Sequence, residues 1–350
     1  MILLHGGRRS GEMFGPILPA LTADHEVIAV DLQGHGRTAD LKLSAQLATV
    51  NVPTSRCSTA CALPTEQGAN RLMQEFDLEL VDGRTLHAYD TGGGDDHLTV
   101  VWHHGTPNIG SPPAPLFETS ERLGIRWVSY DRPGYGGSTR HPVRDLASAA
   151  ANSSAVADAL GIDRFAVMGH SGGGSHALAC GALLPDRVVA VVSIAGLAPF
   201  NADGLDWFGG MSDAGVAALR AALRGRDAKE RYEASAPEGD PGFAALDHEA
   251  LAAEWSWFGK VVGPALAGGP GGLVDDDMAY VAPWGFEPAE IIAPTLLVHG
   301  NRDRIVPSAH GEWLARRCPT AEFGLRPDDG HISILRSAPT ALEWLHTLVD

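Results

Sequence analysis

The stretch Gly169-His170-Ser171-Gly172-Gly173 constrains this chain more than any other. It follows an apolar run, Phe165-Ala166-Val167-Met168, and leads into a small-residue helical stretch, Ser175 to Leu184, that Pro185 stops. A serine held on so short a strand-to-helix turn is forced toward a strained backbone that lifts its hydroxyl out of the sheet. Glycine is needed at 169 and 173, because a Cβ at either place would run into the neighbouring strand or helix.

The rest of the chain repeats the strand-then-helix rhythm. Phe76–Leu80 and Thr85–Tyr89 flank Val81-Asp82-Gly83-Arg84, a hairpin signal carried by Asp-Gly. Strands are predicted at 98–103 and 125–130, followed by a helix over roughly 143–160. Val188–Ile194 and Pro294–Gly300 are continuous apolar runs, as expected of parallel strands buried on both faces. A strand near Ala321–Leu325 and a helix near Pro339–Leu348 close the unit. Alternation of this kind predicts the α/β class, with a mostly parallel central sheet and helices on both faces. Between about 201 and 287 the strand rhythm stops. Helical patches at 215–223 and 243–258 alternate with Gly/Pro-rich breaks such as Ala267-Gly268-Gly269-Pro270-Gly271-Gly272, so a helical cap inserted between two strands is expected.

Two segments read alike. Ile2-Leu3-Leu4-His5-Gly6, an amphipathic stretch over 13–21, the strand Val27–Val30 and Asp31-Leu32-Gln33-Gly34-His35-Gly36 match a second passage about a hundred residues later. There Thr99–His103 runs into His104-Gly105, and the strand 125–130 ends in Asp131-Arg132-Pro133-Gly134-Tyr135-Gly136. Only the second copy continues into a serine turn. The expected organisation is therefore a partial repeat plus linker over 1–69, a core unit over 70–200 and 288–350, and the cap over 201–287.

Charge and cysteine usage narrow the function. A net charge of −17 without any basic run argues against nucleic-acid or anionic-membrane partners. Hydrophobic content of 44% with 20% charged residues leaves an ample core for a globular chain. Cys57, Cys61, Cys180 and Cys318 lack the spacing of a disulfide framework or a zinc site, so free thiols and no metal are expected. The first residues carry no charged n-region or long apolar segment, which predicts a cytoplasmic protein. The expected partner is a small-molecule substrate, and a homo-oligomer is compatible with the sequence.

From Phe76 onward, about four-fifths of its length, the chain resembles an α/β-hydrolase of the capped esterase and peptidase type. The residues that carry the resemblance are the His104-Gly105 turn, the 131–138 loop, the serine turn, His299-Gly300-Asn301-Arg302-Asp303 and Pro327-Asp328-Asp329-Gly330-His331. The family's order of nucleophile, acid and base falls on Ser171, Asp303 and His331. The chemistry agrees: a serine hydroxyl needs an adjacent base, histidine exchanges protons near neutrality, and a buried carboxylate fixes its tautomer. Asp328 and Asp329 are rivals for the acid, although near neighbours rarely reach a histidine's far nitrogen. The resemblance also implies that the backbone N–H groups of Thr106 and Gly172 form the oxyanion hole.

Trp207, Phe208, Trp255, Trp257 and Trp284 are candidates for an apolar substrate pocket. The function this implies is cofactor-independent hydrolysis of a carboxylic ester through an acyl-enzyme. Amide, lactone and carbon–carbon cleavage use the same side chains, and a hydrolase-fold binding protein is the alternative from another class. An aminopeptidase would need a cap carboxylate for the substrate amine, for which Glu254 and Asp275–Asp277 are available.

Overall fold

The computed structural model describes residues 2–4, 28–30, 73–94, 97–236 and 239–348. The chain divides into two units, residues 1–67 and 68–350. In the first, Ile2–Leu4 and Ile28–Val30 pair in parallel, with Ile2 opposite Ile28. These are two of the strands expected of the N-terminal copy. Its His-Gly turn, its amphipathic stretch, the 31–36 loop, the linker, Cys57 and Cys61 lie outside the described residues.

The second unit is built on eight strands: β1 (Gln74–Glu79), β2 (Thr85–Asp90), β3 (Leu98–His103), β4 (Ile125–Tyr130), β5 (Phe165–His170), β6 (Val188–Ile194), β7 (Thr295–Gly300) and β8 (Ala321–Arg326). Their order across the sheet is β8-β7-β6-β5-β3-β4-β2-β1. Every neighbouring pair is parallel except those that involve β2, which runs antiparallel to both β1 and β4. The Asp82-Gly83 turn makes this reversal, with Gly83 at φ +79°.

Alternation along the central strands explains why helices cover both faces. Val101, Val128, Val167 and Val191 belong to one apolar core, with Val156, Leu178 and Leu314. Their neighbours Val100, Trp127, Met168 and Val192 belong to the other, with Leu116, Leu342 and Leu345. The first core draws on helices α2 (Ser148–Ala159), α3 (Gly172–Leu183) and α9 (Ser308–Arg317). The second draws on α10 (Ala338–His346) and the residues before α1 (Phe117–Arg122). A strand buried on both faces has no polar side to show, hence the unbroken apolar runs.

Between β6 and β7 stand five α-helices among the described residues: α4 (Asp213–Leu223), α5 (Arg226–Ser235), α6 (Ala245–Ala252), α7 (Phe258–Leu266) and α8 (Gly271–Tyr280). The helix expected over 243–258 is broken, because Ala253 leaves helical geometry at φ −122°, ψ −113°. The Gly/Pro-rich stretch breaks the helical run as expected: α7 ends at Leu266 and α8 begins at Gly271, with Pro270 immediately before its first residue. Because β3, β5, β7 and β8 are parallel, the loops after them open on one edge of the sheet, where sites of open α/β sheets gather.

Candidate active site

Ser171 sits between β5 and α3 at φ 58°, ψ −132°, a conformation that side-chain-bearing residues rarely adopt. The turn is held by Ser171 N–H donating to Ile194 O (2.8 Å) and Gly174 N–H donating to Ser171 O (2.8 Å). A Cβ on Gly169 would overlap the Gly173 carbonyl, and one on Gly173 would overlap the His103 carbonyl at the end of β3. Glycine thus lets three backbone segments meet beneath the serine. Helix α3 starts at Gly172, three residues before the expected Ser175; close packing here outweighs the poor helix propensity of three successive glycines.

Two distant loops meet this serine. His331, in the loop after β8, places Nε2 2.9 Å from Ser171 Oγ and Nδ1 2.7 Å from Asp303 Oδ2. With Nδ1–H donating to the carboxylate, Nε2 carries the lone pair that accepts the Ser171 hydroxyl proton. Asp303, just beyond β7, is buried, and its Oδ1 accepts from Ile305 N–H (2.8 Å) and Val306 N–H (2.9 Å). Its second oxygen is thereby aimed at the imidazole. His299 Nε2–H donates to Val306 O (2.7 Å), and burial lowers the pKa of this ring, keeping it neutral beside the site. The rival Asp328 is exposed, and the position beside His331 Nδ1 is filled by Asp303.

His331 is also held through its backbone. Its N–H donates to Asp247 Oδ2 (3.0 Å) from α6, and its carbonyl accepts from His170 Nε2–H (2.8 Å). Sequence reasoning missed Asp247, which lies eighty-four positions away in a segment without recognisable motif.

Thr106 and Gly172 lie side by side near the hydroxyl: a Cβ built on Gly172 would come within 3.1 Å of Thr106 Oγ1. As the first residue of α3, Gly172 has an N–H with no acceptor inside the helix. Thr106 is fixed by a buried ionic network. Its hydroxyl donates to Asp276 Oδ2 (2.5 Å) and accepts from Arg132 Nη2–H (3.0 Å); Tyr280 Oη lies 2.6 Å away. Arg132 forms a fork with Asp276 (3.1 and 2.7 Å), and Arg144 pairs with the same carboxylate at 2.6 Å. Arg132 also donates to the carbonyls of His104 and Gly105. Burial alone would raise the Asp276 carboxyl, but the two guanidinium groups hold it well below the ordinary range. The 131–138 loop therefore reaches the site through Arg132, a link absent from the sequence reading.

A cavity of about 430 Å³ opens beside Ser171 and His331. Phe243, Leu251, Phe258, Val262, Ile305 and Ile332 supply apolar wall, Asn108 and His170 supply polar atoms, and no Lys, Arg, Asp or Glu among the described residues lines it. The aromatic residues expected to line a pocket do not line this one. Trp207 packs against Phe200, Phe208 and His310 and donates its indole N–H to Ala198 O (2.8 Å). Trp255 and Trp257 pack on each other behind Phe258, and Trp284 packs on Phe286. The four tryptophans are buried against other aromatic side chains instead of facing this cavity. The carboxylates considered for a substrate amine are also engaged elsewhere: Asp275 with Arg140 and Arg226, Asp276 as above, Asp277 with Lys229, and Glu254 with Arg336.

Comparison with known proteins agrees with this architecture. The model of the alpha/beta hydrolase fold family matches residues 99–338. The chain belongs to the α/β-hydrolase fold family. Within that family it is 29% identical over 285 residues to a 2-hydroxy-6-oxononadienedioate/2-hydroxy-6-oxononatrienedioate hydrolase of Cupriavidus pinatubonensis, covering 76% of this chain and 90% of that one. It is 27% identical over 260 residues to a pimeloyl-[acyl-carrier protein] methyl ester esterase of Nitrosomonas europaea, covering 72% and 94%. Among solved structures, a thermophilic esterase from Thermogutta terrifontis superposes with a TM-score of 0.58 at 23% identity, covering 79% of this α/β-hydrolase and 99% of the esterase. The relatives are thus named as a dioate hydrolase and as a methyl ester esterase, and no helix among the described residues is long and apolar enough to cross a membrane.

Proposed function

We propose that this α/β-hydrolase cleaves a carboxylic ester of a small or medium-sized apolar substrate through an acyl-enzyme. In this reading Ser171 Oγ attacks the ester carbonyl while His331 Nε2 takes its proton. Asp303 holds the imidazole in the productive tautomer and stabilises the imidazolium. The Thr106 and Gly172 N–H groups receive the developing oxyanion. His331 then returns the proton to the departing alcohol. In the second half-reaction it activates water, which releases the acid and restores the serine.

One observation carries the reading: the hydrogen-bonded chain Ser171–His331–Asp303 faces an uncharged, largely apolar cavity. The volume falls in the range of small-molecule sites. That wall also favours an ester over a dioate such as the one named for the Cupriavidus relative, because a carboxylate brought there would meet no cation among the described lining residues. Turnover of short p-nitrophenyl esters, lost in Ser171→Ala, together with fluorophosphonate labelling at Ser171, tests the proposal. Labelling at another residue overturns the site assignment. Absence of both labelling and turnover favours a hydrolase-fold binding protein.

A further inference from the structure

Resting on the hydrolase reading, we infer that Asn108 and His170 form a polar subsite beside Ser171 that receives a hydroxyl group of an uncharged ester substrate.

Asn108 is only 4% exposed, and its carboxamide, to which no described residue hydrogen-bonds, is not among the fully enclosed polar groups but opens on the cavity. A carboxamide that the protein leaves unpaired on a cavity wall is met by water or by a ligand, and a ligand group that displaces the water must replace its hydrogen bonds. It stands next to the serine turn: a Cβ built on Gly105 would lie 3.2 Å from Asn108 Nδ2, 3.5 Å from His170 O and 3.5 Å from Ser171 Cβ. The loop that carries it is fixed, since Ile109 N–H donates to Val261 O (3.0 Å) and Gly110 N–H donates to Asp131 Oδ1 (2.6 Å).

His170 supplies the second half. The residue is 2% exposed, lines the same cavity, and donates a hydrogen bond from Nε2–H to His331 O at 2.8 Å. The imidazole is neutral, because burial and the neighbouring His331 lower its pKa to about 3. With the proton on Nε2, Nδ1 keeps a lone pair, and that atom has no hydrogen-bond partner among the described residues. Thr106 offers nothing comparable, its hydroxyl being engaged by Asp276, Arg132 and Tyr280.

The two groups together select the ligand chemistry. A hydroxyl donates to His170 Nδ1 and accepts from Asn108 Nδ2–H, satisfying both. A keto oxygen accepts from Asn108 but leaves the His170 lone pair facing an acceptor. A carboxylate or an ammonium would be buried without a counter-ion on this wall. The substrate class is therefore a neutral hydroxy ester whose hydroxyl lies close to the scissile carbonyl, with apolar groups filling the remaining space.

The test uses the full chain and four ethyl esters: butanoate, 2-hydroxybutanoate, 3-hydroxybutanoate and 3-oxobutanoate. kcat/KM is followed by pH-stat and normalised to each ester's hydroxide-catalysed rate. One of the hydroxy esters is expected to exceed both butanoate and the oxo ester by roughly tenfold or more. In Asn108→Leu that ratio should fall to about one, and likewise in His170→Phe, with thermal unfolding verifying that each variant is folded. A ratio of one or less for both hydroxy esters, or an undiminished ratio in Asn108→Leu, overturns the subsite while leaving the hydrolase reading intact. If no ester is turned over and Ser171 is not labelled, the hydrolase reading fails, and calorimetric binding of the same esters decides the subsite by itself. Tighter binding of a hydroxy ester, lost in Asn108→Leu, upholds it; equal binding overturns it.

Discussion

The carboxylate of Asp247 binds the backbone of the loop that carries His331: Oδ2 accepts from His331 N–H at 3.0 Å, and Oδ1 accepts from Ile332 N–H at 2.9 Å and Ser333 N–H at 2.8 Å. The Ser333 hydroxyl donates to the same Oδ1 at 2.8 Å, and Ala244 N–H, at the start of α6, donates to Oδ2 at 2.9 Å. A Cβ on Gly330 would overlap this carboxylate, so the glycine before His331 admits it. A helix inserted between β6 and β7 thus fixes the imidazole that reaches Ser171.

Replacing that carboxylate should therefore misplace the base without touching substrate. Asp247→Asn presents an N–H where an acceptor is required. kcat is expected to fall by about 10²-fold, the cost of a roughly 1 Å misplacement, with KM little changed. Burial would raise this carboxyl, but the hydrogen bonds from Ser333, Ala244 and Ile332 outweigh burial and leave it below its ordinary value. A folded-state pKa below the unfolded one stabilises above the unfolded pKa, about 3.9, and that stability is lost as pH falls through the folded value. Urea unfolding should show Asp247→Asn less stable than the parent at pH 7, with the gap narrowing below about pH 4.

The three-residue chain makes the sharpest kinetic prediction. Ser171→Ala should abolish fluorophosphonate labelling and lower turnover of p-nitrophenyl butanoate to the small residual rate that binding and the oxyanion donors alone sustain. Asp303→Asn should retain the fold while kcat falls by about 10³–10⁴-fold, because an amide facing His331 Nδ1 favours the wrong tautomer. A double variant Ser171→Ala/Asp303→Asn should be no slower than Ser171→Ala, since groups that act as a unit are not additive. Additive losses would mean that Asp303 acts elsewhere.

Gly172 and Tyr280 make a steric prediction. A Cβ on Gly172 would overlap Tyr280 Oη, and it would lie 3.1 Å from Thr106 Oγ1. Gly172→Ala should therefore push α8 away from the turn and disturb both proposed oxyanion donors, lowering kcat by about 10²-fold or more. Tyr280→Phe removes the overlapping oxygen and should restore part of that loss. A double-mutant cycle on kcat/KM measures the coupling, and additivity would show that the two residues do not communicate.

The sequence was legible where local geometry carries the chemistry. The serine turn needs glycine at fixed offsets, and β3, β5, β6 and β7 are mostly apolar because both faces are buried. Asp303 and His331 were placed by the order of nucleophile, acid and base that the family resemblance implies, and each follows a strand that runs parallel to the serine's. The helical segment between β6 and β7 was opaque for a physical reason: its contacts are long-range and its local preferences are weak. Asp275, Asp276 and Asp277 read as one acidic run, yet three successive helical positions point in different directions and each meets its own cation. Trp207, Trp255 and Trp284 announced burial, but an indole's size and apolarity do not say whether it faces a cavity or another indole. Asn108 stood two residues from Thr106 and still escaped notice, because an unpaired carboxamide is recognisable only once its surroundings are known.

The last prediction concerns the charge buried behind Thr106. Asp276 meets Arg132 and Arg144, all three essentially inaccessible to water. Asp276→Ala would leave two guanidinium groups buried without a counter-charge, and breaking such a pair costs about 3–5 kcal/mol. The same change frees the Thr106 hydroxyl from its acceptor, so activity should fall even at temperatures where the variant is folded. Because the Asp276 carboxyl is held well below its ordinary value, its contribution is fully present above the unfolded pKa of about 3.9. The stability gap between parent and Asp276→Ala should therefore be the same at pH 7 and pH 5 and close only in stronger acid. Calorimetric or urea unfolding at the two pH values checks this. A gap that already shrinks between pH 7 and pH 5 would mean that the carboxyl is protonated in that range, and that the network around Thr106 is not held by charge.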